Sequence, residues 1–63
     1  MEYNQQITHW LSNYVELANK FNEEGNKELA EYWKGQVFGT VKTAELILGK
    51  ENVDFSWYLR QLP

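Results

Sequence analysis

Apolar residues recur at steps of three and four through the first third of the chain: Tyr3, Ile7, Trp10, Leu11, Tyr14, Leu17, Ala18 and Phe21. Gln5, Thr8, His9, Ser12, Asn13, Glu16, Asn19 and Lys20 fill the other side. This period is that of a helix with one apolar face, and it predicts a helix over about residues 3–22. Asn22-Glu23-Glu24-Gly25-Asn26 then breaks the pattern. Gly25 can take the left-handed conformation that ends a helix. Asn26 is suited to cap the next one, with Glu28 in its first turn. A second helix is predicted over about residues 27–48. Its main stripe is Trp33, Val37, Ala44 and Leu48, flanked by Leu29, Ala30, Thr40, Val41 and Ile47. So short a connection makes the two helices antiparallel neighbours, each about 30 Å long.

Gly49 follows the last periodic residue and reads as a stop, and residues 50–53 read as a linker. Asp54 can cap a short third helix over about residues 55–61. Phe55, Tyr58, Leu59 and Leu62 would face inward there, with Trp57 and Arg60 elsewhere and Pro63 at the end. A helix this short needs a surface to dock on, from its own chain or a second one. The alternative is an extended aromatic tail. The expected fold is all-α: one domain, residues 1–63, an antiparallel two-helix hairpin plus a short C-terminal helix, dimerising into a helical bundle.

Gly35 and Gly39 interrupt the second helix from within. Each costs about 1 kcal/mol relative to alanine. At about 100° per residue they point away from the main stripe, together with Leu46 and beside Tyr32 and Thr43. Two readings stay open: a second contact surface that something approaches closely, or glycines tolerated on a solvent face.

Composition narrows the classes. Sixty-three residues with no Cys leave no disulfide or thiolate metal site to support a small core, so self-association is the natural remedy. Lack of Cys suits a reducing cytoplasm, where the chain is expected to remain. The N-terminal residues have neither the basic start nor the apolar run of a signal peptide, and no stretch is apolar enough to span a membrane. A net charge of −3 argues against binding to duplex nucleic acid. Aromatic residues make up 16% of the chain, enough to fill a short core or to line an interface.

No catalytic constellation is evident, and the chain is not expected to be an enzyme. His9 is the one imidazole, and Ser12 lies one turn away from it with no orienting group behind the pair. Glu23, Glu24 and Glu28 could attract a cation, but acidic residues are also what a helix start favours. No cofactor or metal site is expected. The candidate interface or ligand residues are Tyr32, Lys34, Gly35, Phe38, Gly39, Lys42, Thr43, Leu46 and Trp57. The lysines and hydroxyls among them could meet an anion, and Phe38 could stack on a base.

Leu17, Ala18, Phe21, Gly25 and Ala30 have the spacing of the tetratricopeptide-repeat turn, which this stretch resembles over about 14 residues. Lys34 and Val37 depart from that pattern, and no second repeat follows. The resemblance implies close helix packing at the turn and says nothing of peptide binding. In its Cys-free, mildly acidic hairpin the chain also resembles small accessory proteins of bacteriophages. That resemblance implies a binding protein, an inhibitor or adaptor of a host protein. A second expectation, from similarity to helical anti-defence sponge proteins, is sequestration of a small nucleotide signal at subunit junctions. A third is a structural subunit of a larger assembly.

Overall fold

The computed structural model describes residues 2–63, with side chains from residue 4 onward. It is all-helical: α1 (Glu2–Glu23), α2 (Lys27–Leu48) and α3 (Ser56–Arg60). Tyr3, expected on the inner face of α1, lies outside the described side chains.

The turn between α1 and α2 closes by hydrogen bonding. Gly25 has φ +81°, which lets its N–H donate to the Asn22 carbonyl while the Asn26 N–H donates to that of Phe21. These two bonds form a Schellman motif and satisfy carbonyls that the helix end leaves free. The Asn26 side chain then accepts from the Leu29 N–H at 3.2 Å and starts α2. Ala18 and Ala30 are both buried, so small side chains bring the helices together near this end.

Leu11, Val37, Val41, Ala44 and Phe55 form the core, with Ile7, Tyr14, Val15, Val53, Tyr58, Leu59 and Leu62 packed against it. Phe55 comes from beyond α2, so the C-terminal segment completes the hairpin of its own chain. Gly49 makes this possible. With φ +87° and ψ 124° it turns the chain out of α2, and its carbonyl accepts from the N–H groups of Asn52 and Val53. The Asn52 side chain also donates to the Leu48 carbonyl. Far along the sequence, Asn19 Nδ2 donates to the carbonyls of Val15 and Gln61, at 3.0 and 3.1 Å, tying α1 to the end of α3.

Several residues sit differently from their sequence pattern. The cap position of α3 is Phe55, which has no side-chain capping bond. Asp54 acts one residue earlier, accepting from both the N–H and the hydroxyl of Ser56. Asn19, on the polar side of the α1 pattern, is half-buried because α3 docks over that flank. Ile47 and Leu29 flank the apolar stripe of α2 yet are exposed, Ile47 at 76%. Trp10, on the apolar stripe of α1, is 44% exposed. The reason is shared by Ile47 and Trp10. The C-terminal segment packs against only one side of the hairpin, and these two side chains lie on the other.

Candidate interaction face

The uncovered side of the hairpin is a groove of about 710 Å³. Gln6, Ile7, Trp10 and Tyr14 of α1 form one wall. The other comes from Gly35, Gln36, Gly39, Thr40, Thr43, Ala44, Ile47 and Leu48 of α2. Toward the turn, Tyr14 stacks on Trp33 with ring centroids 5.4 Å apart, and Tyr32 meets Trp33 edge-on at 5.0 Å. Large rings thus fill the space between the helices at that end. Beyond them the two glycines leave it open: a β-carbon added at Gly35 or Gly39 would meet nothing within 4 Å.

None of the groove residues is charged. This is notable in a chain with 24% charged residues, and it follows from where the charges lie in sequence. Residues 3–15 contain no Asp, Glu, Lys or Arg, whereas residues 20–34 hold seven of the chain's fifteen. The antiparallel hairpin sets the uncharged start of α1 beside the end of α2, where Leu46 and Ile47 are 84% and 76% exposed. Lack of charge and exposed aromatic or aliphatic side chains characterise the buried centre of protein interfaces.

No protein-family model, characterised protein or solved structure matches this chain. Its functional reading therefore rests on the geometry of its faces.

The groove gathers Gly35, Gly39 and Thr43 from the sequence-derived candidates. A second depression of about 660 Å³, between α2 and the C-terminal segment, gathers Phe38, Gly39 and Lys42, with Lys50, Glu45 and Asp54 nearby. Lys34 borders neither; its ammonium pairs with Glu31 at 3.2 Å. Tyr32 is exposed beside Trp33, Leu46 projects into solvent, and Trp57 is half-exposed on α3, edge-on to Tyr58. Trp10 and Ile47 lie outside the sequence-derived candidates. The absence of charge from residues 3–15 would have pointed to Trp10, since that segment has no ionic group to keep its flank in water. His9 is exposed, with its ring 3.3 Å from the Asn13 amide, and Ser12 is exposed as well. Among the described residues no group of three His, Asp or Glu side chains could hold a metal ion. No helix among them is long and apolar enough to cross a membrane.

Among the described residues, Asp54 stands out for a lowered pKa. Hydrogen bonds from the Ser56 hydroxyl and then the Ser56 N–H hold its carboxyl below the ordinary value of 3.8, and the charges of Arg60 and Lys50 add to this against slight desolvation.

Proposed function

We propose that the chain is a non-enzymatic binding protein that acts through self-association and contact with another protein, as an inhibitor or adaptor of the phage type. The observation that carries this reading is the uncharged groove, bordered by half-exposed Trp10 and exposed Ile47 on the side of the hairpin that α3 leaves bare. A 63-residue chain without disulfides has little core of its own, and association supplies the burial it lacks. Sedimentation velocity from about 1 to 200 µM tests the first part, because a self-associating protein shifts to larger species as concentration rises. A 7.5 kDa species throughout that range defeats the reading.

A second reading, sequestration of a small anionic nucleotide-like ligand, draws on the depression where Phe38 and Lys42 meet Lys50. Glu45 and Asp54 in the same depression oppose an anion, so this reading ranks second. A rise in melting temperature with cyclic or linear nucleotides would favour it.

A further inference from the structure

We infer that the occupant of the uncharged groove is a second copy of this chain, with the two α2 helices antiparallel and the two-fold axis midway between Gly39 and Thr43. The inference rests on the self-association reading and adds a face and a register to it. Gly35, Gly39, Thr43 and Ile47 follow one another at intervals of four along the groove. Rows with this spacing interdigitate when two helices cross at about −50°. This row tapers from no side chain at Gly35 to a branched side chain, 76% exposed, at Ile47.

A two-fold interface requires one patch to complement itself. Antiparallel pairing about the midpoint between Gly39 and Thr43 meets that requirement. It sets Ile47 of each copy over Gly35 of the other, where a β-carbon would find nothing within 4 Å, and sets Gly39 against Thr43. Parallel pairing would press Ile47 on Ile47 and leave Gly35 facing Gly35 across a void. Trp10, on the adjoining helix wall, then loses its water contact as the copies close.

Charge points to the same occupant. A charged peptide, a nucleic acid or a lipid headgroup would find no ion to pair with in this groove. Two copies, each of net charge −3, can meet here because none of the side chains lining the groove carries a charge. The scale is adequate too. The molecule measures 36 × 17 × 15 Å, so a contact over one broad face falls at the small end of specific interfaces, about 600 Å² per partner.

The test exchanges the two ends of the taper. Gly35→Leu and Ile47→Ala alter positions that are open in the single chain, so each variant should keep its helical circular dichroism. Each alone is expected to weaken the dimer by about tenfold or more in sedimentation equilibrium, by collision and by lost contact respectively. The double variant, Gly35→Leu with Ile47→Ala, again pairs large with small and should recover most of the affinity. If the wild type dimerises and the single variants match it, this face is wrong while self-association stands. If both single variants dissociate and the double variant does not recover, the register is wrong. A wild type monomeric at about 200 µM overturns both readings, and flotation of that monomer with neutral vesicles would assign the face to lipid instead.

Discussion

The four glycines divide into two pairs whose replacement by alanine should have opposite signs. Gly25 and Gly49 hold positive φ, at +81° and +87°. At Gly49 a β-carbon would also come within 3.0 Å of the Asn52 amide and the Glu51 carboxylate. Alanine at either position should cost about 1–2 kcal/mol, Gly49 the more. Gly35 and Gly39 have ordinary helical backbone and open space around them. There alanine should stabilise the single chain by up to about 1 kcal/mol, through helix propensity alone. Chemical denaturation of dilute protein separates the pairs, and a destabilised Gly39→Ala monomer would contradict the open geometry. Asn26 offers a further check at this scale. Asn26→Ala removes the bond to the Leu29 N–H and should cost about 1 kcal/mol in the same measurement.

Among the elements, α3 depends most on its surroundings. Five helical residues have no stability alone, so three tethers hold them: buried Phe55, the Asn19 amide and the Asp54–Ser56 turn. Phe55→Ala should cost about 3–4 kcal/mol, close to the whole stability of a domain this small, and thermal circular dichroism should show a largely lost transition. Asn19→Asp replaces two donated hydrogen bonds with a charge facing carbonyl oxygens, so hydrogen exchange should speed up at Gln61 and Leu62 while the hairpin stays protected. The Asp54 contribution has a definite pH sign. A carboxyl whose value is lowered in the fold stabilises it above the unfolded value and loses that effect as pH falls through the folded one. The start of α3 should therefore loosen in acid below about pH 3.8, seen as a shift of the Ser56 amide resonance, and Asp54→Asn should abolish that step. The long helices and their turn are legible in the sequence because Gly25, Asn26 and the apolar period each state a local preference. The groove is not. Taken alone, the pattern of α2 sets Gly35 and Gly39 nearly opposite the core, whereas Trp10 and Tyr14 from α1 build the facing wall. Which side of the hairpin stays bare is decided by the path from Gly49 to Asp54, and no periodicity encodes that path. Asn19 reads as an ordinary polar-face residue for the same reason.

At the scale of the whole molecule, charge is distributed unevenly between faces. Residues 3–15 and the groove carry none, whereas residues 20–34 and the end of α2 with the loop after it carry charges of both signs. An association that buries the groove should respond little to salt, since screening acts on charges and the groove has none. Sedimentation in about 50 mM and 500 mM salt should give dissociation constants within roughly a factor of two, and a steep salt dependence would place the contact on a charged face instead. The Tyr14–Trp33 stack has one further consequence. Its rings come from different long helices and lie 5.4 Å apart at an interplanar angle of 30°. Two aromatic chromophores this close, held in a fixed asymmetric orientation, should produce a near-ultraviolet dichroic band. That contribution should vanish when the hairpin opens, so the protein carries an optical gauge of its own folding, which Tyr14→Leu would remove while leaving the Tyr32–Trp33 and Trp57–Tyr58 pairs in place.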